Sequence, residues 1–427
     1  MFTLFIVVMS IITMVLSLLF FPKMKLGKIT LDTYYVITLI GALILIISKQ
    51  ISLTDIKELL FNDNSMNPIK IIILFMSMSF LSIYLDKLGF FKYVATLAAT
   101  HFKSSQRSLF LALFILISVL TVFTSNDIII LTFTPFICYF AKSTKINPIP
   151  YLIGEFFAAN TLSMTLIIGN PTNIYIASNA GITFLEYFQK MFIIGLIDSI
   201  ILCLLLLVIF RKSLNESLTI TAQENKIESK FLLVMGIVHL SLCTILMAIS
   251  NYINLEMHII SLLFALSLIV ITGVYSLIKK QQKLVIKKSL LDLPFAFIPF
   301  LLSMVILISC LSNTDVIKDF ASSLANTNSP IVYGVSSIVL GNLLNNIPMS
   351  ILYSELLATT GNLNSIYTVI ASSNLCALIT PLGSLAGMMF ISLIKQQNIK
   401  FSFTKFMKYG FVGVVLAIFS FIMINIM

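Results

Sequence analysis

Charge is what this sequence has least of. Asp, Glu, Lys and Arg make up 10% of its 427 residues, against about 25% in an average soluble domain. Tryptophan is absent and there are three histidines. The five cysteines (Cys138, Cys203, Cys243, Cys310 and Cys376) all lie in apolar runs, and none stands in a CxxC spacing. That excludes a disulfide framework and a thiolate metal site. The shortage of charge excludes a disordered chain, a nucleic-acid-binding domain and an ordinary soluble enzyme. What remains is 59% hydrophobic, more than a globular core can hide from water. Lipid must solvate most of the surface, and the many phenylalanines are packing and lipid-facing surface rather than a cofactor site.

A membrane-crossing helix needs about 20 mostly apolar residues. Ten crossings are expected, over 2–21, 32–48, 69–85, 148–178, 191–210, 231–249, 255–278, 295–313, 366–393 and 402–425. Segment 2–21 has neither a charged n-region nor a small-residue cleavage site and reads as a retained helix. Two further apolar stretches are interrupted by polar residues. In 107–141 the interruption is Thr124-Ser125-Asn126-Asp127; in 329–359 it is Asn345-Asn346-Ile347-Pro348. The second arm of 329–359 would be roughly 18 Å long at 1.5 Å per residue, too short for a hydrocarbon core of about 30 Å. A re-entrant hairpin is expected there, and by analogy in 107–141. Placing both termini outside then leaves Lys49, Lys57, Lys70, Lys190 and Lys318 outside and 22 of the 27 Lys and Arg inside, as the positive-inside rule requires. A multi-pass protein of the cell membrane is expected.

The most polar stretch, 211–230, sits at the chain midpoint and reads as a cytoplasmic linker. It separates 1–210 (hairpin 107–141, interrupted helix 148–178) from 231–427 (hairpin 329–359, interrupted helix 366–393). Each half holds five crossings and one hairpin, so the second enters the membrane in the opposite sense. Ala159-Asn160 precedes Gly169 by the spacing at which Ser373-Asn374 precedes Gly383. The expected fold is an all-α polytopic membrane protein of two inverted repeats with two broken helices, the signature of secondary transporters.

Four polar interruptions fall at the bilayer middle: the two hairpin tips, Gly169-Asn170-Pro171-Thr172-Asn173, and Thr380-Pro381-Leu382-Gly383-Ser384. Gly and Pro let a helix unwind. The backbone groups so freed survive in lipid only where protein, water, ion or substrate satisfies them. The candidate substrate and ion-binding residues are therefore Thr124, Ser125, Asn126, Asp127, Asn160, Gly169, Asn170, Pro171, Thr172, Asn173, Asn345, Asn346, Asn374, Thr380, Pro381, Gly383 and Ser384. Kinked helices glued by asparagine would explain one such break; four symmetric breaks point to a site. Asp127 is the only acid on a tip, where it serves a coupling cation or proton, a helix cap, or both. Asp198 lies inside crossing 191–210 with no motif around it, and Glu155 lies near the cytoplasmic end of its helix, an interfacial position or a functional one. Cys376 reads as a small buried hydrophobe. No catalytic residue is expected, since paired acids, histidine clusters and Ser/His arrangements are missing. With no Walker A pattern, ATP coupling would need a separate ATPase subunit.

The run Asn126-Asp127 with Thr134-Pro135, then Asn345-Asn346-Ile347-Pro348, then Ile379-Thr380-Pro381-Leu382-Gly383-Ser384-Leu385-Ala386 resembles the arsenite/antimonite efflux permeases. These belong to the ion transporter superfamily, which includes the divalent anion/sodium symporters. The resemblance implies a homodimer with a scaffold and an elevator-like transport domain. It also implies no cofactor, a coupling ion that is Na⁺ or H⁺, and cation sites at Ser125, Asn126 and Gly169 and at Asn345, Asn346 and Gly383. Register between Asn126 and the pair Asn345/Asn346 is ambiguous by one residue. Asn160 and Asn374 stand where arsenite permeases often carry Asp, and Gly169-Asn170-Pro171-Thr172-Asn173 is closer to the Gly-x-Pro-x-Asn segment of the sodium-coupled anion carriers. The expected function is ion-coupled secondary transport of a small inorganic oxyanion or metalloid, as in arsenite/antimonite efflux. Sodium-coupled uptake of carboxylates or other anions is the alternative, and an ion channel is third.

Overall fold

The computed structural model describes residues 1–21, 23–26, 29–61, 67–101, 105–216, 229–250, 252–279, 284–327, 329–357 and 362–427. Most of the expected linker, 217–228, and the last residues of the expected second hairpin, 358–359, lie outside that set.

The chain opens with α1 (Phe2–Phe20), a short antiparallel hairpin of β1 (Lys23–Leu26) and β2 (Ile29–Asp32), then α2 (Thr33–Ile47) and the exposed α3 (Leu53–Phe61). α4 (Pro68–Lys87) starts at a strong cap, with Asn67 Oδ1 accepting from Ile69 N at 2.8 Å and Pro68 at its first position. α5 (Phe90–His101) follows after a turn. α6 (Gln106–Phe123) and α7 (Asn126–Thr144) are the arms of the first hairpin. α8 (Ile149–Leu162), two 3-10 turns (Ser163–Thr165 and Ile167–Gly169) and α9 (Pro171–Asn179) form the first interrupted helix. α10 (Phe184–Ile209) begins seven residues earlier than expected. Its capping box explains this: Thr183 Oγ1 accepts from Glu186 N and Glu186 Oε2 from Thr183 N.

After the midpoint come α11 (Lys230–Ala248), α12 (Met257–Ile278), the short α13 (Leu284–Leu291), α14 (Phe297–Ser312) and α15 (Asp315–Thr327), the last two bent by 81°. α16 (Pro330–Leu344) and α17 (Asn346–Leu357) are the second hairpin. α18 (Leu363–Ile379), a 3-10 turn (Pro381–Gly383) and α19 (Leu385–Gln396) form the second interrupted helix. α20 (Phe403–Met407) and α21 (Phe411–Ile426) end the chain. Among the described residues six stretches are at least 18 residues long and apolar enough to cross a membrane: α4, α6, α10, α11, α12, and α20 with α21 taken together. α6 is a hairpin arm, so five of the ten expected crossings are among them; of the rest, α1 qualifies only over Phe2–Ser17, as a shorter apolar helix. The shortfall has a physical cause. α2 and α14 are 15 and 16 residues long, roughly 23 Å at 1.5 Å per residue, and the two interrupted helices cover their distance in two pieces.

Packing is crosswise between the halves. α2 lies along α14 and α12 along α4. Each hairpin's first arm packs on the interrupted helix that follows it, α6 on α8 and α16 on α18. Each second arm packs on the other interrupted helix, α7 on α19 and α17 on α9. α8 is buried along its whole length, and α18 over nearly all of it. The outer faces of α10 and α12 show Leu204, Val208, Leu263 and Val270. Such apolar outer faces belong against hydrocarbon, and the chain is an all-helical polytopic membrane protein.

Candidate functional site

The two hairpin tips and both helix breaks come together. At the first tip, Ser125 caps α7, its Oγ accepting from Ile128 N at 3.4 Å. Asn126 then starts the helix and donates Nδ2 to Asn160 Oδ1 of α8 at 3.1 Å. At the second tip, Asn345 takes the capping place of Ser125, with Oδ1 accepting from Ile347 N at 3.4 Å and Nδ2 donating to the carbonyl of Leu382 at 3.1 Å. Asn346 starts α17 and donates Nδ2 to Ser373 O at 3.1 Å. Asn346, not Asn345, is thus the residue that starts its arm as Asn126 does. Asn345 has φ +85°, a left-handed value that costs a side-chain-bearing residue energy and is fixed here by its two side-chain bonds.

Between the tips runs one unbroken polar chain. Ser163 Oγ shares its one proton between Asn160 O at 2.8 Å and Asn374 Oδ1 at 2.9 Å. Asn170 Nδ2 also reaches Asn374 Oδ1, at 3.0 Å, and Asn374 Nδ2 donates to Asn173 Oδ1 at 2.7 Å and to Ser373 Oγ at 3.3 Å. Thr172 and Ser373 share a hydroxyl contact of 3.0 Å. The chain therefore passes Asn126, Asn160, Ser163, Asn374, Ser373 and Asn346, and every member is at most 3% exposed. Buried polar groups are kept only when partnered. Exceptions near the chain include Asn346 Oδ1, Ser350 Oγ and Thr161 Oγ1, which are buried without a hydrogen-bond partner among the described residues.

The breaks are tight as well as polar. A Cβ on Gly169 would lie 2.2 Å from Ser163 O, and one on Gly383 2.5 Å from Cys376 O. At each break the chain crosses its own backbone where only glycine fits.

Not every candidate joins the chain. Thr124 Oγ1 turns back to Leu120 O at 2.9 Å, Thr380 Oγ1 donates to Asn342 Oδ1 at 2.7 Å, and Ser384 caps α19 through Gly387 N at 3.0 Å. Pro171 occupies the first position of α9 behind its cap Asn170, and Pro381 opens the second 3-10 turn. Asn173 Nδ2 donates to Ser163 O and Leu166 O, which ties the first break together. Asp127 is half-buried beside Asn126, and nothing among the described residues donates to its carboxylate. Glu155 is not interfacial: it is 1% exposed within α8, and Thr134 Oγ1 donates to its two oxygens at 2.8 and 3.0 Å. Asp198 is buried and accepts from Ser420 Oγ of α21. Cys376 is buried against Ser373 O and Gly383 O. Sequence reasoning missed Ser163 and Ser350, which carry no break signal.

Comparison with known proteins now decides the family. A family model described as citrate transporter (CitMHS) matches residues 1–367. The chain belongs to the CitMHS citrate transporter family. Its relatives are transporters and not enzymes, and this family member is a multi-pass secondary transporter. The expected place in the ion transporter superfamily is borne out. An arsenical pump membrane protein of Escherichia coli is 24% identical over 355 residues, 79% of this chain and 81% of that protein. An arsB transporter of Dictyostelium discoideum is 31% identical over 144 residues, 34% of this chain, which spans only 25% of that relative. The crystal structure of the YdaH transporter of Alcanivorax borkumensis, reported for its unusual topology, matches 100% of this chain and 97% of its own with a TM-score of 0.57 at 12% identity. That likeness concerns the fold alone.

Proposed function

We propose that this CitMHS family member moves a small oxygen-rich anion, an inorganic oxyanion or a carboxylate, coupled to Na⁺ or H⁺. One observation carries the reading: α7, α9 and α17 all begin within the polar chain, at Asn126, Pro171 and Asn346. Three helix N-termini, each with a positive end and first-turn N–H groups, therefore start in one connected buried polar cluster. Among the described residues of the tips and breaks, the half-buried Asp127 is the one acid that opposes an anion there, and a coupling cation or proton would neutralise it. The carbonyl, amide and hydroxyl oxygens around Ser125, Asn126 and Gly169, and around Asn345, Asn346 and Gly383, suit a hard cation such as Na⁺. Asn346 Oδ1, unpartnered among the described residues, is the acceptor best placed to serve it.

Residues 1–210 and 231–427 act as inverted repeats joined by the linker 211–230. The recurring order of helices and the crosswise packing support this. The hairpins and interrupted helices form an elevator that moves against a scaffold, in a homodimer with both termini outside the cell membrane.

The test is flux in proteoliposomes, with citrate, other carboxylates, inorganic oxyanions and arsenite supplied under Na⁺ or H⁺ gradients. Gradient-driven movement of an anion is expected; absence of any anion flux would overturn the reading. Asp127 favours a second reading, metalloid efflux, because a neutral trihydroxy metalloid needs no counter-charge beside a carboxylate. Arsenite flux without anion flux would select it.

A further inference from the structure

Asn346, Ser350 and Ser354 follow one another at intervals of four residues along α17, which places them on one face. α9 packs against this arm, and two small cavities lie in the seam between them. The one nearer the polar chain, about 10 Å³, is lined by Thr172 and Tyr175 of α9 and Ser350 of α17, with Phe297 and Leu301 of α14 on its far side. The other, about 20 Å³, lies between Asn179 of α9 and Ser354 of α17. Early residues of one helix thus meet early residues of the other, so the two run in parallel away from the polar chain. Asn179 and the following Ala180 are half-buried, and the seam reaches the protein surface there.

The hydroxyls in the seam differ. Ser354 Oγ does what serine commonly does within a helix and donates to Ser350 O, one turn back, at 2.8 Å. Ser350 Oγ does not. It belongs to a residue 1% exposed and has no hydrogen-bond partner among the described residues. One turn nearer the polar chain, about 6 Å along the axis, Asn346 Oδ1 is in the same state. Buried oxygens of this kind are costly unless something completes them.

Size and charge narrow what that is. Cavities of about 10 and 20 Å³ have room for about one water each, and none for a carboxylate or an oxyanion. No charged side chain is among the described residues that line them. α9 ends at Asn179 and α17 at Leu357, so two carbonyl ends favour a cation where the seam opens. At the other end the first turns of the same helices oppose a lone cation, and an anion held in the polar chain offsets them.

We infer that the α9–α17 seam is a single-file, water-lined path along which a small monovalent metal cation reaches Asn346 Oδ1 from the protein surface, past Ser354 and Ser350. The inference rests on the anion-carrier reading for the purpose of the path, since the cation is the coupling ion of that reading. The path itself needs no transport.

The test uses full-length protein in lipid nanodiscs and nitrate salts, with Ag⁺ as the probe, a thiol-binding monovalent cation close to Na⁺ in size. Ser350→Cys and Ser354→Cys are compared with Leu352→Cys, which is buried at the same depth but about 200° around the helix. Thiol left free is counted by alkylation after unfolding, and the unsubstituted chain supplies the background of the five native cysteines. Corrected for reactivity with a free thiol, Ag⁺ should react at 350 and 354 about tenfold faster than the bulky trimethylammonioethyl methanethiosulfonate, and about tenfold faster than Ag⁺ reacts at 352. Sodium nitrate should slow the reaction and choline nitrate should not. Adding Ser354→Val, which narrows the seam, should slow Ag⁺ at Ser350→Cys about tenfold, whereas Ser354→Ala, which removes only the hydroxyl, should leave it fast. Equal Ag⁺ rates at 350 and 352, equal rates for the two reagents, indifference to Na⁺, or indifference to Ser354→Val would each overturn the inference. Labelling reads the path without flux. Ag⁺ entry in a protein that moves no anion would sink the carrier reading and leave the path standing; driven anion flux in a protein whose seam excludes Ag⁺ would sink the path alone.

Discussion

Asn374 Nδ2 donates to Asn173 Oδ1 at 2.7 Å, and this contact ties the second interrupted helix to the first. Asn374 also accepts from Ser163 and Asn170, so it must give and receive at once. A carboxylate at 374 could still accept but would face Asn173 Oδ1 with no hydrogen to offer. Asn374→Asp should therefore lower stability by about 1–3 kcal/mol, the usual cost of leaving a buried group unsatisfied. The measurement is the thermal unfolding temperature in detergent, with flux in proteoliposomes alongside. An unchanged unfolding temperature would show that the amide donation is dispensable.

Gly169 and Gly383 make a sharper steric case. A methyl group on either would drive into a backbone carbonyl at 2.2 or 2.5 Å, and backbone yields less readily than a flexible side chain. Gly169→Ala and Gly383→Ala should each cost about 1–3 kcal/mol and reduce the amount of folded protein in the membrane. Gly273→Ala in α12, whose new Cβ would meet nothing within 4 Å, is the control and should be neutral or slightly stabilising. Comparable expression of all three variants would contradict the tight crossing at the breaks.

The breaks were legible in the sequence because Gly, Pro, Asn and Ser have no ordinary place in the middle of an apolar run. Gly169 to Asn173 and Thr380 to Ser384 announce unwound backbone wherever they occur in such a setting. The ambiguity between Asn345 and Asn346 was not soluble there, since two adjacent asparagines offer the same chemistry; the positive φ of Asn345 separates them. α3, α13 and α15 are too short for a hydropathy window to register, and the small β hairpin is shorter still. The crosswise packing of α2 on α14 and α4 on α12 leaves no periodic trace. Glu155 looked interfacial because its helix begins near a polar loop. Its burial depends on Thr134 of α7, a partner that no spacing rule connects to it.

The two tip asparagines should respond differently to truncation. Asn126→Ala leaves Asn160 Oδ1 without the Nδ2 donor it has now, and should cost about 1–3 kcal/mol of stability as well as transport. In Asn346→Ala the donation to Ser373 O is lost, but so is a buried, unpartnered Oδ1. That variant should abolish transport at a smaller loss of stability. Flux and thermal unfolding measured together distinguish the pair, and near-normal flux in Asn346→Ala would remove Asn346 from the site.

Orientation can be checked without any substrate. Tyr252, 77% exposed between α11 and α12, belongs outside if the positive-inside assignment holds. Lys212, exposed after α10, belongs inside. An impermeant thiol reagent added to intact cells should label Tyr252→Cys and leave Lys212→Cys untouched until the membrane is permeabilised. The opposite pattern would invert the whole arrangement, including the sides from which the two hairpins enter.

The proposed coupling turns on Asp127. It is the one acid on either tip, and Ile347 stands at the corresponding place after Asn346. Its carboxylate is half-buried, and nothing among the described residues donates to it, a costly state inside a membrane unless a cation or proton completes it. The backbone role at this position belongs to its neighbours, since Ser125 Oγ takes Ile128 N and Asn126 Oδ1 takes Asp127 N at 3.0 Å. Asp127→Asn keeps the shape and leaves those bonds intact, but it cannot ionise. Gradient-driven transport should therefore fall about tenfold or more, the size of a typical coupling free energy between two binding sites. Substrate exchange across a membrane without a gradient should fall much less, because exchange needs the site but no net movement of the coupling ion. Both fluxes are measurable in the same proteoliposomes, with thermal unfolding as the control for folding. Equal loss of exchange and driven transport in a well-folded variant would assign Asp127 to substrate binding, and full retention of both would leave it with neither role.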